Sequence, residues 1–211
     1  MHVATFPIGP LSTNCFVIYN DSLALAVDPG GDPSEVLDFL EQKRLTLTHV
    51  LLTHLHFDHS YGVAELRERT GARILGPEKD RYMLDNEMGR GGVWGLPVVR
   101  AYDFESLEAG ETSFLGTACT VLATPGHTPG GLSFYFPELK AVFCGDTLFY
   151  RSVGRSDFPG GDQAALLQSI RGQLFALPED SIVYCGHGLQ SSIGDERRNN
   201  PYASDFTETS D

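Results

Sequence analysis

Apolar positions along the chain fall into short runs, broken by turns rich in glycine and proline. Val3–Ile8, Asn14–Tyr19 and Leu23–Asp28 predict three strands in quick succession. After the turn PGGDP, Asp32 and Pro33 open a helix through about Gln42, with an aspartate in a cap-like place and proline at the first helical position. THVLLT predicts the next strand. A second helix follows from about Asp58 to Thr70, where Gly71 stops it. Ala72–Leu75 reads as a strand and Pro77–Leu84 as a short helix. The glycine-rich stretch Asn86–Pro97, NEMGRGGVWGLP, reads as a loop, either a substrate-facing lid around Trp94 or a plain surface connection. Further strands fall near Cys119–Ala123, Leu132–Phe136, Ala141–Cys144 and Ser181–Tyr184, with a helix over about Asp162–Leu174. Strands clustered early and again midway, with helices between them, predict an α/β chain of two sheets packed face to face with helices outside.

Composition narrows the class. The 211 residues, 41% of them hydrophobic, suit a single domain over 1–211, with only the polar tail Ser204–Asp211 expected to be flexible. The N-terminus lacks a basic segment followed by an apolar one, so no signal peptide is expected, and no apolar run is long enough to span a bilayer. The four cysteines form no CxxC pair, and each lies in or beside an apolar segment. They read as reduced, buried thiols of a cytoplasmic protein. A net charge of −13 argues against nucleic acid and anionic membranes as partners. An anionic small substrate would need a local positive anchor, such as a metal ion or a placed arginine.

Candidate chemistry gathers behind the predicted strand ends. THVLLT runs into HLHFDH, with His54, His56, Asp58 and His59. His127 sits in TPGHTPGG, Asp146 in FCGDTLF and His187 in YCGHG. Gly126, Gly145, Gly186 and Gly188 flank the last three and let the backbone turn sharply towards a common point. Imidazole and carboxylate suit zinc, iron or manganese. Five histidines and two aspartates exceed the needs of one tetrahedral ion and suffice for two, with room for solvent. His54 and His56, two apart on extended chain, can point the same way, and Asp58 and His59 can serve a neighbouring position. Asp146 is the candidate to bridge two ions through its two oxygens. Water held between two such ions becomes a hydroxide near neutral pH. His2 and His49 fit no motif.

THLHFDH, PGHTPG, the aspartate of CGD and the late CGHG together resemble the metallo-β-lactamase-fold hydrolases. VDPGGD, GPEK, VGRSDFPGGD and GHGLQSSIGDERRNNP are similar to stretches of the small bacterial glyoxalase-II-like proteins. The resemblance implies a four-layer αββα sandwich. It implies His54, His56 and His127 on one metal, Asp58, His59 and His187 on the other, and Asp146 bridging. It implies two divalent ions, zinc foremost, with iron or manganese as the alternatives. It implies hydrolysis of a thioester derived from glutathione, such as S-lactoylglutathione, with Asp58 and Asp146 as the catalytic carboxylates. Asp28, in VDPGG, reads either as a turn residue or, by the resemblance, as the partner that orients a metal-bound histidine. Arg155, in VGRSDF, is the candidate anchor for a substrate carboxylate. Asp157 could pair with it, cap a turn or touch substrate, and Tyr150 reads as packing. The helical extension that helps hold glutathione in full-length glyoxalase II enzymes is not expected after His187.

Rival readings share parts of this pattern. The related persulfide dioxygenases keep most of the ligand motif and a GR-[ST]-D-F stretch, but use one iron. Lactonases share HxHxDH. The best-known dizinc β-lactamases are secreted and carry cysteine where Asp146 stands. Nucleases of the fold bring basic surfaces or further domains, and flavodiiron reductases put glutamate in place of His56. A silent metal-binding module would close its ion with four ligands and leave no open position.

Overall fold

The computed structural model describes residues 1–93 and 95–203. Trp94, and with it the proposed lid side chain, and the tail Ser204–Asp211 lie outside the described residues. The first sheet holds β1 (His2–Ile8), β2 (Thr13–Tyr19), β3 (Leu23–Val27), β4 (Thr46–Leu51), β5 (Arg73–Gly76) and β6 (Glu105–Ser106), side by side in that order. Then come β7 (Gly110–Phe114), β8 (Thr117–Ala123), β9 (Leu132–Phe136) and β10 (Ala141–Gly145). A small antiparallel ribbon follows, β11 (Leu148–Phe149) with β12 (Ser152–Val153), and then β13 (Ile182–Cys185) and β14 (Ser191–Ser192). The second sheet runs β14-β13-β10-β9-β8-β7.

Alternation along the central strands explains how the layers assemble. Phe16 and Ile18 of β2, Leu25 and Val27 of β3, and Phe143 of β10 all join the layer between the two sheets. Their neighbours Cys15, Val17, Ala24 and Ala26 face outward, under helices α1 (Ser34–Lys43) and α3 (Val63–Thr70). On the other side Val142, Cys144 and Val183 pack against α5 (Gln163–Ser169) and α6 (Ile193–Asn199). Strands buried on both faces read as continuous apolar runs, which is why they stand out in the sequence. The result is the expected four-layer αββα sandwich. All four cysteines are buried and free. Among the described residues no helix is long and apolar enough to cross a membrane.

Several elements differ from expectation. The helix predicted over 58–70 is two, α2 (Phe57–Ser60) and α3, because the Gly62 amide turns aside to donate to the Pro29 carbonyl at 2.7 Å. The stretch 86–97 is more than a loop. It starts with the helical turn α4 (Glu87–Arg90), capped by the Asn86 side chain, which accepts from the Met88 amide. Tyr150 packs only in part. It is 48% exposed on the turn of the β11–β12 ribbon, with the Arg151 guanidinium 4.8 Å from its ring centre.

The topology delivers the candidate residues to one rim. Strands β3 and β4 run parallel, as do β10 and β13, and β8 runs parallel to β10 across β9. Their following turns therefore open at the same end of the sandwich. Two backbone bonds join the sheets there. Asn14 donates to the Gly186 carbonyl at 2.7 Å, and Leu132 to the Thr53 carbonyl at 2.8 Å.

Candidate metal centre

The turn after β4 carries His54 and His56 and leads into α2 with Asp58 and His59; these four side chains are buried. His127 arrives on the turn after β8, Asp146 after β10 and His187 after β13. Three groups of ligand-type atoms lie within 4.8 Å of one another: His54, His56 and His127; Asp58, His59 and His187; and Asp28, His54 and His59. Asp146 stands between the first two groups. Its Oδ1 is 3.3 Å from His59 Nε2, and its Oδ2 is 3.6 Å from His127 Nε2 and 3.7 Å from His187 Nε2. Asp58 Oδ2 is 3.2 Å from His187 Nε2 and 3.6 Å from His59 Nε2. Space for this convergence depends on glycine. A Cβ on Gly186 would stand 2.2 Å from Asp146 Oδ1 and 2.6 Å from His59 Cε1.

The far nitrogens of four of the five rings are already spoken for. Asp28 accepts from the Thr53 amide at 2.8 Å and the Thr53 hydroxyl at 2.6 Å, and faces His59 Nδ1 at 3.0 Å. With its proton given to Asp28, the Thr53 oxygen can accept from His54 Nδ1, 3.0 Å away. His127 Nδ1 donates to the Arg155 carbonyl at 2.7 Å, and His187 Nδ1 to the Leu11 carbonyl at 3.2 Å. A ring that donates from Nδ1 keeps a lone pair on Nε2, and that pair points inward. Asp28 itself spends both oxygens on Thr53 and His59, so its place is behind the ligand atoms. It holds a left-handed backbone (φ 50°), a conformation aspartate tolerates better than most residues.

Whether a cation fits is decided by what lacks a partner. Nε2 of His54 and His59 and Oδ1 of Asp146 face the centre, buried with no hydrogen bond, while His56 turns Nδ1 inward, 3.0 Å from His127 Nε2. An unmatched buried polar atom costs about 1–3 kcal/mol. Several such atoms, all electron-pair donors aimed at one region, are the donor set a divalent cation takes. Electrostatics agrees. Burial and then the surrounding imidazoles push His54 well below the usual histidine value and His56 to about 3; burial also lowers His127. These three are neutral at pH 7, as metal ligands must be. Burial opposes charge on His59 and His187, yet Asp146 and Asp58 hold both above the ordinary value. Burial likewise opposes ionisation of Asp146 and Asp58, and the facing histidines more than offset it.

The centre forms the floor of a cleft of about 610 Å³. Arg155 lines it, 64% exposed. Its guanidinium is paired with Asp157 through two hydrogen bonds of 2.9 and 2.8 Å and lies 4.2 Å from the Phe158 ring centre. Of the roles open to Asp157, the pairing is therefore the one observed. Three supporting residues were missed. Thr53 directly precedes the histidine motif. Asp80, one residue beyond GPEK, is buried and accepts from the Thr128 hydroxyl at 2.7 Å, the Gly130 amide at 2.6 Å and the Leu55 amide. It thus ties the turn of His127 to that of His54 and His56. Glu196, on α6, lies within the stretch GHGLQSSIGDERRNNP, where nothing marks it as a buried acid.

A family model described as the Metallo-beta-lactamase superfamily matches residues 8–187. Hydroxyacylglutathione hydrolase GloC of Haemophilus influenzae is 37% identical, over 96% of this chain and 98% of its own. The crystal structure of BLEG-1, a B3 metallo-beta-lactamase, superposes with a TM-score of 0.90 at 36% identity, covering 96% of this chain and 99% of that one. TTHA1623, solved in a di-iron-bound form, gives a TM-score of 0.85 at 35% identity, covering 96% of this chain and all (100%) of that one.

Proposed function

This chain belongs to the metallo-beta-lactamase superfamily, and from that premise we propose that it is a dinuclear metal-dependent hydrolase of glutathione-derived thioesters, S-lactoylglutathione among them. The observation that carries the proposal is the convergence of seven donor side chains whose inward atoms include three without partners. In this reading His54, His56 and His127 hold one cation, Asp58, His59 and His187 the second, and Asp146 faces both. Two distinct donor groups favour two ions over one. The di-iron-bound TTHA1623 supports that number, and the donor set itself accepts zinc, iron or manganese.

Bound cations supply a water that is nucleophilic near neutral pH and a Lewis acid for the thioester carbonyl. The chain does the rest. Asp28, Thr53 and the carbonyls of Arg155 and Leu11 fix the imidazoles, so that no reorientation is needed when substrate arrives. Asp58, ionised and reached by the Thr13 hydroxyl at 3.4 Å, can hold the attacking water by accepting one of its protons in a hydrogen bond. Water's oxygen joins the acyl carbon and gives its first proton to solvent, the carbon–sulfur bond breaks, the thiolate departs and the new acid releases the second proton. Thiolate is a good leaving group, so no strong general acid is required. The GloC relative, named for this reaction, supports the glutathione thioester as substrate. Arg155 is the side chain suited to meet a substrate carboxylate.

The test is purified protein with its metal content measured, assayed in parallel on S-lactoylglutathione, on a β-lactam, and for oxygen uptake with glutathione persulfide. Two equivalents of metal and release of thiol from the first substrate are expected. Oxygen uptake with one iron, or turnover of the β-lactam alone, would replace this reading.

A further inference from the structure

The walls above the metal centre do not match a polar acyl group. Leu11, Phe57, Met88, Phe149, Val153 and Phe158 all line the cleft. Among the described lining residues beyond the floor, only Glu87, Ser152 and Arg155 are polar. The two flanks of the centre also differ. Beside His127 stands Arg155, whose own carbonyl holds that ring and whose guanidinium lies over Phe158. Beside His187 stand Leu11, whose carbonyl holds the ring, and Phe149, whose ring centre is 6.3 Å from it. Leu11 is 48% exposed, an apolar side chain kept at the rim where it faces the cleft.

A thioester laid across the floor sends its thiol arm one way and its acyl arm the other. The thiol arm of a glutathione conjugate carries carboxylates and belongs with Arg155. The acyl arm then runs over the His187 flank, where the surface is hydrocarbon. Resting on the thioester-hydrolase reading above, we propose that the cleft selects acyl groups that are apolar and larger than lactoyl, such as arylacetyl or medium-chain alkanoyl. Burying an aromatic ring against such a wall favours it over a hydroxylated two-carbon arm, whose hydroxyl would lose water without gaining a partner.

The experiment keeps the thiol constant and varies the acyl arm. The metal-loaded protein is assayed on S-acetyl-, S-lactoyl- and S-phenylacetylglutathione, each corrected for its spontaneous hydrolysis. A kcat/KM for the phenylacetyl conjugate at least about tenfold above the lactoyl one is expected. Leu11→Asp, which puts a charge on the exposed rim of the His187 flank, is expected to collapse that ratio. Equal kcat/KM for all three, within about threefold, overturns the inference and leaves the hydrolase reading standing. A ratio unmoved by Leu11→Asp, in protein of normal metal content, also overturns it. No turnover of any conjugate overturns the thioester reading itself, and the inference with it.

Discussion

On the floor of the cleft, four of the five imidazoles have their outer nitrogen held by a second group: His59 by Asp28, His54 by Thr53, His127 by the Arg155 carbonyl and His187 by the Leu11 carbonyl. The walls are made differently. Phe149, Ser152 and Val153 ride on a ribbon whose two strands have two residues each, and Met88 sits on a four-residue helical turn. Catalytic geometry tolerates displacements of well under an ångström, so its ligands need redundant support. An apolar wall needs only shape and can change residue by residue. The difference makes chemistry and substrate choice separable in this molecule.

Asp146 is the sharpest test of the floor, because it faces both donor groups. Asp146→Asn keeps the volume but loses the charge and one acceptor. It is expected to lower kcat/KM by at least about 10³ and to reduce the metal bound per chain. Kinetics and metal analysis on the same sample check both. Full activity with two metals in that variant would falsify the bridging assignment. Asp28→Asn acts one step behind. With His59 and Thr53 no longer held by a carboxylate, metal affinity should fall by roughly 10–100-fold. A competitive titration against a chelator measures it.

The same division explains what the sequence discloses. The floor is made of rare residue types at fixed spacing behind glycine-marked turns, so His54, His56, Asp58, His59, His127, Asp146 and His187 were all legible, and the structure brings them together. Central strands buried on both faces were legible as apolar runs. The strands missed were two-residue pieces such as β6, β11, β12 and β14, too short for any pattern, and β7, GETSF, an edge strand whose first four residues are exposed and polar. Helix α6 escaped because its buried face includes Gly194 and Glu196, which do not read as core. Walls of ordinary leucine, valine and phenylalanine carry no motif. Only three-dimensional proximity shows that Leu11 and Phe149 flank one histidine.

Asp80 supports the floor from beneath, and its signature is a pH dependence. Burial pushes its carboxyl up to about 6, against the hydrogen bonds from Thr128, Gly130 and Leu55. A folded value above the unfolded one means that the folded state holds the proton more tightly. The contribution to stability is therefore complete below about pH 4, and it is lost as the pH rises through about 6. Asp80→Asn does not titrate. The stability advantage of the wild type over this variant should shrink by about 2 kcal/mol between pH 4 and pH 7. Urea unfolding of the metal-free proteins at the two pH values reads it. An advantage that grows with pH would place the charged form, not the neutral one, in the folded state.

Glu196 is the mildest perturbation and addresses the walls alone. Its carboxylate is fully buried and accepts from the Arg151 amide at 2.9 Å, the Arg151 guanidinium at 2.8 Å and the Asn200 side chain at 2.8 Å. Asn200 in turn donates to the carbonyls of Phe149 and Ser152. One acid on α6 thus anchors the ribbon that carries the His187 flank, and it touches none of the floor residues. Glu196→Gln keeps the shape and replaces one acceptor with a donor facing Arg151 or Asn200. It should cost about 1–2 kcal/mol of stability and raise KM several-fold for the apolar acyl conjugates. Metal content should stay at the wild-type level. If the variant instead lost metal, the ribbon would be part of the scaffold of the floor, and the separation of chemistry from substrate choice would not hold for this molecule.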